Sequence, residues 1–97
     1  MIRSFKNAGT EDLFNGIRSK VACRTCPPEV WDVAARKLDQ LDSAGELIDL
    51  SVPPGNRLEA LKGNRIGQHS IRINAKFRIC FIWTASGPAE VEIVDYH

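Results

Sequence analysis

Two alternating segments in the second half of the chain constrain its fold more than any other feature. Residues 68–74 read Gln-His-Ser-Ile-Arg-Ile-Asn, and residues 77–83 read Phe-Arg-Ile-Cys-Phe-Ile-Trp. Apolar residues at every second position are typical of β-strands. Short breakers at 74–76 and 86–88 separate these segments from each other and from a third apolar run at 90–94. The sequence therefore predicts an antiparallel meander that the upstream residues cover.

The same alternation assigns side chains to the two faces of the sheet. The residues expected to face the core are Ile71, Ile73, Phe77, Ile79 and Phe81. Ser70, Arg72 and Arg78 then lie on the opposite face, because successive side chains of a strand point to opposite sides. The same alternation places Glu92 and Tyr96 on that face as well. The pattern predicts two neighbouring arginines and a glutamate able to neutralise one arginine.

Length and charge distribution bound the class of protein. A chain of 97 residues with 43% hydrophobic content supports one domain, residues 1–97. It contains no transmembrane span, signal peptide or acylation signal, so we expect a soluble cytoplasmic protein without a membrane partner. The net charge is only +1, but residues 57–78 carry six basic side chains and one acidic side chain. Such a segment forms either a polyanion site or a solvated charged hairpin.

The upstream residues predict two helices and an edge strand. Residues 2–5 can form a short edge strand, and Thr10 followed by two acids predicts the start of a short helix. A second, longer helix is expected to open at Pro27-Pro28 and to run to about Ser43. Its apolar stripe consists of Val30, Ala34, Leu38 and Leu41. Residues 58–61 then predict a short strand, and residues 62–67 a basic loop bounded by glycines.

The pair Cys23-x-x-Cys26 is the main candidate for metal or redox chemistry. The other soft ligands available to it are Cys80, His69 and His97. No second C-x-x-C and no paired histidine spacing accompanies them, as a zinc site would require. We therefore expect a linker with two free thiols and no metal, and a zinc or redox site is the alternative.

Residues 58–81, which read LEALKGNRIGQHSIRINAKFRICF, together with the terminal Val-Asp-Tyr-His, resemble the HigB branch of the RelE/ParE toxin superfamily. The resemblance implies an α+β fold in which two N-terminal helices pack on a curved antiparallel β-sheet. It implies a toxin that cleaves mRNA on the ribosome without a cofactor. It also implies inhibition by a helix-turn-helix antitoxin of the HigA type. The toxin would then contact operator DNA only as part of a complex with that antitoxin.

The resemblance and the chemistry of RNA cleavage together identify candidate site residues. The expected catalytic residues are Arg78, Asp95, Tyr96 and His97. The expected RNA-binding residues are Arg57, Lys62, Arg65, Arg72 and Lys76. Cleavage through a 2′-hydroxyl needs a base, cationic groups for the phosphate and an acid for the leaving oxygen. Arginine and lysine can supply the positive charge, so no metal is required.

The C-terminal tripeptide is expected to carry the proton transfers. His97 titrates near neutrality and can act as acid or base, and Asp95 can orient it. Tyr96 can stack on a base, donate a proton or simply pack. His69 is expected to be a sheet-surface or core residue. Some members of the family place a histidine just before the L-K-G block where this chain has Glu59, which leaves the identity of the base open.

Two classes of function remain in competition at this point. One is an endoribonuclease toxin acting on mRNA at the ribosome. The other is a toxin of the same fold that acts on gyrase or another protein without nuclease chemistry, like the ParE branch. The terminal Asp-Tyr-His and the basic segment favour the nuclease.

Overall fold

The computed structural model describes residues 1–95, so Tyr96 and His97 lie outside the described part of the chain. Within residues 1–95 the α-helices are α1 (Ala8–Phe14), α2 (Lys20–Thr25) and α3 (Trp31–Ser43). The strands are β1 (Glu59–Ala60), β2 (His69–Arg72), β3 (Phe77–Thr84) and β4 (Gly87–Asp95). They form one antiparallel sheet in the order β1-β2-β3-β4. The predicted α+β class and the meander are confirmed. No helix in this described range is long and apolar enough to cross a membrane.

The register of the sheet confirms the predicted faces. Ile71 lies opposite Ile79, and Arg72 lies opposite Arg78. All five residues expected to face the core belong to the buried cluster, which they share with α3 residues Ala34, Leu38 and Leu41. Alternation along a strand is dictated by backbone geometry, and one buried face is enough to fix the register. For that reason the sequence pattern carries over directly into the structure.

Helix α1 begins three residues earlier than the sequence predicts. Its N-cap is Asn7, whose side chain accepts the N–H of Thr10 at 2.9 Å. Thr10 is fully buried, and its hydroxyl accepts the N–H of Ile93 at 3.1 Å. Asparagine caps a helix as well as threonine does. The threonine is thereby available for a long-range contact that joins α1 to β4.

The segment around the two cysteines is a helix and not the predicted linker. The Ser19 hydroxyl caps α2 by accepting the N–H of Ala22 at 3.1 Å, and Ala22 is fully buried. Gly9 of α1 permits the close approach, because a Cβ there would lie 2.6 Å from the carbonyl oxygen of Val21. A six-residue helix is unstable in isolation. The formation of α2 therefore depends on tertiary packing, which local helix propensity does not reflect.

The boundaries of α3 agree with the prediction at the C-terminal end. A 3-10 turn over Pro28–Val30 precedes the α-helical part, and the helix ends at Ser43 as expected. Prolines suit a helix start because the first turn needs no backbone N–H donors.

The N-terminal residues lie along β4 as an edge segment, with one parallel bridge from Phe5 to Val91. The Lys6 N–H donates to the Val91 carbonyl at 2.9 Å. Beside this bridge β4 contains a bulge, where Glu90 and Val91 together oppose Phe81, and Glu90 has a φ of 51°. Bulges bend and twist the strand that contains them.

The loop between α3 and β1 is held by the buried side chain of Asn56. Its Nδ2 donates to the Leu50 carbonyl and to Gln40 Oε1, both at 3.1 Å, while its Oδ1 accepts from Lys37 Nζ. Burial and, to a smaller extent, Arg36 lower the pKa of Lys37. Asn56 thus fixes to α3 the end of the loop that presents residue 57 to the sheet.

We expect Asn56→Ala to lower the free energy of unfolding by about 1–3 kcal/mol, because it leaves buried donors and acceptors unpaired. Urea denaturation followed by circular dichroism measures this change. Asn64→Ala, at an exposed loop position, is the matched control and should stay within about 0.5 kcal/mol of the parent. Equal stability of the two variants would contradict the anchoring role of Asn56.

Candidate active site

A cleft of about 320 Å³ opens beside the hairpin that joins β2 and β3. Its lining consists of Arg57, Arg72, Asn74, Ala75 and Arg78, and we refer to it as the arginine cleft. Two of its arginines are the cross-strand pair that the sequence predicts, and that juxtaposition is confirmed. The third arginine, Arg57, lies on the loop between α3 and β1 that Asn56 anchors.

Arg78 is the most rigidly held of these three arginines, with only 8% of its surface exposed. Its Nε donates to Ser70 Oγ at 2.8 Å, and its Nη2 donates to the Arg57 carbonyl oxygen at 2.7 Å. Glu59 Oε1 lies 3.7 Å from the same Nη2. These contacts offset the cost of burying a guanidinium and fix its orientation. The cleft therefore contains a guanidinium whose orientation is fixed by the fold.

Arg57 contributes to the cleft through an unusual backbone conformation. It follows the 3-10 turn Pro54–Asn56 with φ 46° and ψ 55°, in the left-handed region. Its carbonyl oxygen points to Arg78, while its side chain is exposed and lines the cleft. Strained backbone of this kind persists only where surrounding contacts enforce it. Three guanidinium groups around one cleft repel one another, so a bound polyanion such as RNA would relieve that repulsion.

Asn74 closes the β2–β3 hairpin beside the cleft. Its Oδ1 accepts the N–H groups of Lys76 and Phe77, both at 2.8 Å. Asparagine favours such turns because its side chain can replace a backbone acceptor. The turn joins the two strands that carry the cross-strand arginines, Arg72 and Arg78.

Glu92 neutralises an arginine, as predicted, but that arginine is Arg65 from the β1–β2 loop. Arg65 Nη1 lies 2.9 Å from Glu92 Oε1 and 3.1 Å from Gln68 Oε1. Lys6 Nζ approaches the same carboxylate at 3.6 Å. Glu92 thus joins the N-terminal segment and the β1–β2 loop to β4. The predicted RNA contact of Arg65 stays a prediction.

Two of the remaining predicted RNA-binding residues lie outside the lining of the arginine cleft. Lys62 is exposed just before the 3-10 turn Gly63–Arg65. Lys76 is exposed at the hairpin, and its Nζ lies 3.6 Å from Asp95 Oδ2. Both lysines can reach a long RNA backbone from the surface, and their roles stay predictions.

Asp95 does not line the arginine cleft. Asp95 lies opposite Phe77 in the sheet and lines a second pocket, of about 450 Å³, with residues of α1 and α2. Alternation along β4 puts it on the same face as Ile93. Asp95 is therefore not one of the residues that the structure brings together in the arginine cleft. The predicted catalytic roles of Asp95, Tyr96 and His97 stay predictions, and the last two lie outside the described residues.

Sequence reasoning misses the role of Ser70 and the contact of Glu59 with Arg78. Strand parity places Ser70 on the arginine face, but nothing in the pattern indicates that its hydroxyl accepts from Arg78. The available signal is a small hydroxyl residue among apolar and basic residues of a predicted strand. Glu59 is opposite Ser70 in the β1–β2 register, so its side chain belongs to the same face.

His69 lies on the core face of the sheet, which is one of its two predicted locations. Its ring stacks on Phe81 with centroids 6.3 Å apart and an interplanar angle of 23°. Its Nδ1 is buried and has no hydrogen-bond partner among the described residues. This position separates His69 from the arginine cleft, which is on the opposite face.

The cysteines occupy different environments. Cys23 is exposed on α2, whereas Cys26 and Cys80 are buried. Burial, assisted by Glu29, raises the pKa of the Cys26 thiol to about 11, and burial also raises the pKa of Cys80. A thiol that keeps its proton is a poor nucleophile and a poor metal ligand. Among residues 1–95 no three His, Cys, Asp or Glu side chains are grouped so that they could hold a metal ion.

Comparisons with known proteins place this geometry in a family. Residues 3–97 match the family described as the RelE-like toxin HigB of type II toxin-antitoxin systems. Toxin HigB-1 of Vibrio cholerae is 45% identical over 97 residues, which cover all of this chain and 98% of that protein. Endoribonuclease HigB of Proteus vulgaris is 34% identical over 98 residues, and the alignment covers the whole of both proteins.

A solved structure shows the same fold at low sequence identity. It is that of the YoeB-YefM complex from Staphylococcus aureus, with a TM-score of 0.60 and 15% identity over all of this chain and 98% of the matched chain. The sequence matches, which extend over nearly the whole chain, establish the family. The chain belongs to the HigB-like family of RelE-like toxins of type II toxin-antitoxin systems.

Proposed function

We propose that this toxin is a cytoplasmic endoribonuclease that cleaves mRNA bound to the ribosome and needs no metal ion. The observation that carries the proposal is the arginine cleft, in which a buried, fully oriented Arg78 meets Arg57 and Arg72. Preorganised cations of this kind stabilise the charge that develops on a phosphate during cleavage. The name of the Proteus vulgaris relative, an endoribonuclease, supports the same activity.

The proposed chemistry is an in-line transfer within one RNA strand. The 2′-oxygen attacks the adjacent phosphorus while the bond to the 5′-oxygen of the next nucleotide breaks. Arg72 and Arg78 hold the phosphate oxygens, and a guanidinium can donate two parallel hydrogen bonds to them. His97 supplies the proton to the leaving oxygen, and Tyr96 stacks on a base. We retain Asp95 as the residue proposed to orient His97.

The proposed regulatory partner is an antitoxin of the HigA type, which would also be the means by which the toxin is brought to operator DNA. Exposed acidic side chains such as Asp32 and Asp39 lie on α3, away from the arginine cleft. A basic antitoxin segment is complementary to that surface. We therefore propose that the antitoxin docks on the helices and blocks access to the ribosome without covering the arginines.

Expression of the chain in growing bacteria, followed by mapping of the 5′ ends of cellular mRNAs, tests the nuclease proposal. We expect new 5′ ends within translated regions soon after induction, because ribosome-bound mRNA is the proposed substrate. Induction of a chain that carries Arg72→Ala and Arg78→Ala is the control and should leave transcripts uncut. Intact transcripts with the parental protein, accompanied by DNA breaks, would favour the alternative of a toxin that acts on gyrase.

A further inference from the structure

We infer that Asn56 is a positioning residue for cleavage: it fixes the backbone of Arg57 to α3, and the Arg57 carbonyl oxygen in turn orients Arg78. This inference rests on the proposed nuclease function. A guanidinium that holds a phosphate has to keep its donors in one direction, because charge-assisted hydrogen bonds depend on geometry. Ser70 orients the Nε of Arg78 from within the sheet, and the Arg57 carbonyl oxygen orients Nη2 from a loop. The rigidity of that loop therefore bears on the chemistry.

Asn56 joins this loop to two side chains of α3. It is fully buried, its Nδ2 donates to Gln40 Oε1 and to the Leu50 carbonyl, both at 3.1 Å, and its Oδ1 accepts from Lys37 Nζ. The Gln40 Nε2 also donates to the Val52 carbonyl oxygen in the same loop. Lys37 and Gln40 are three residues apart, so they lie on one face of the helix. A buried polar network whose hydrogen bonds are made holds its members in one arrangement.

Arg57 lies between this network and the sheet. Its φ of 46° and ψ of 55° are in the left-handed region, and its own side chain is exposed. Its N–H donates to the Pro54 carbonyl at 3.1 Å, and its carbonyl oxygen accepts from Arg78 Nη2 at 2.7 Å. A non-glycine residue keeps this conformation only where its surroundings enforce it. Loss of the Asn56 anchor would let Arg57 relax towards extended backbone, and its carbonyl oxygen would turn away from Arg78.

A purely structural role for Asn56 is the competing interpretation, and Thr10 supplies the comparison. Both side chains are polar and fully buried. Thr10 exchanges hydrogen bonds with Asn7 and Ile93, neither of which lines the arginine cleft. Asn56 instead directly precedes the residue whose carbonyl oxygen holds Arg78 and whose side chain lines the cleft. A role in stability alone would give the replacements of Asn56 and Thr10 the same consequences for the reaction.

Single-turnover cleavage on a programmed ribosome, measured for Asn56→Ala and Thr10→Ala, separates the two interpretations. We expect both changes to lower the melting temperature. Only Asn56→Ala should slow the chemical step, by about 10- to 10²-fold, because a misplacement of about 1 Å can have an effect of that size. Ribosome binding should stay close to that of the parent, because the basic side chains are all retained. A folded Asn56→Ala protein with the parental rate would overturn the inference, and so would an equal slowing by Thr10→Ala.

A second test changes the backbone conformation at residue 57 while the charge is held constant. Arg57→Asn and Arg57→Val both remove the guanidinium, but asparagine enters the left-handed region far more readily than the β-branched valine does. We expect Arg57→Val to cleave about tenfold more slowly than Arg57→Asn, because only the asparagine variant keeps the carbonyl oxygen aimed at Arg78. Equal rates in the two folded proteins would show that this carbonyl oxygen does not position Arg78. The comparison needs no replacement of Asn56, so it holds even where Asn56→Ala fails to fold.

A double-mutant cycle shows whether Asn56 acts through Arg78. Residues that act as a unit have non-additive effects, whereas independent residues have additive ones. Adding Asn56→Ala to Arg78→Lys should therefore slow cleavage by a much smaller factor than Asn56→Ala does in the parental protein. Equal factors in the two backgrounds would assign Asn56 a route that bypasses Arg78 and would overturn the inference. A parental protein that cuts no mRNA would overturn the proposed function as well, whereas parental cleavage that Asn56→Ala leaves unchanged overturns this inference alone.

Discussion

An Arg78→Lys protein is expected to cleave ribosome-bound mRNA about 10²- to 10³-fold more slowly than the parent, the effect typical of losing one preorganised donor to a developing oxyanion. Lysine keeps the charge but lacks the planar fork, so it cannot contact Ser70, the Arg57 carbonyl and a phosphate at the same time. Single-turnover cleavage on a programmed ribosome measures the loss, and ribosome binding should decrease far less than the rate.

Controls are needed because Arg78 is buried and its replacement can also destabilise the fold. Arg36→Lys, an exposed change on α3, should cleave at the parental rate. Ser70→Ala removes only the hydroxyl that accepts from Arg78 Nε and should slow cleavage less than Arg78→Lys does. Thermal melting of each preparation identifies variants that fail to fold. A folded Arg78→Lys protein with parental activity would exclude the proposed role of the guanidinium.

His97→Gln is expected to slow cleavage by about 10²- to 10⁴-fold, as the loss of a general acid or base usually does. Deletion of residues 95–97 should abolish cleavage and growth arrest while leaving the fold intact. The described end of β4 supports this expectation of stability, because the Asp95 side chain is 49% exposed and forms an ion pair with the exposed Lys76. Exposed ion pairs of this kind contribute little to folding.

The same ribosome assay, with binding and melting measured on the same preparations, decides the role of His97. His69→Gln is the matched control, because that histidine lies on the core face of the sheet. It should alter stability more than the rate of the chemical step. A folded His97→Gln protein that cleaves at the parental rate would remove His97 from the mechanism and leave the arginines and Tyr96 as the catalysts.

Local pattern is sufficient to predict the sheet and the two cross-strand arginines of the arginine cleft. The period of two in β2 and β3 is enough to place Arg72 and Arg78 side by side, and the strand register confirms that placement. The same parity puts Asp95 on the face opposite to Glu92. The predicted catalytic role of Asp95, which the family resemblance suggests, stays a prediction.

The sequence by itself determined the α+β class, the meander, the faces of its strands and the end of α3, because these depend on periodicity and on residues close together in the chain. Tertiary structure alone decided which partners complete the site. Arg57 reaches Arg78 across 21 positions, and Arg65 reaches Glu92 across 27. Helix α2 forms because it packs on α1. Such contacts depend on how loops close over a folded sheet. The spacing of residues along the chain does not determine that geometry.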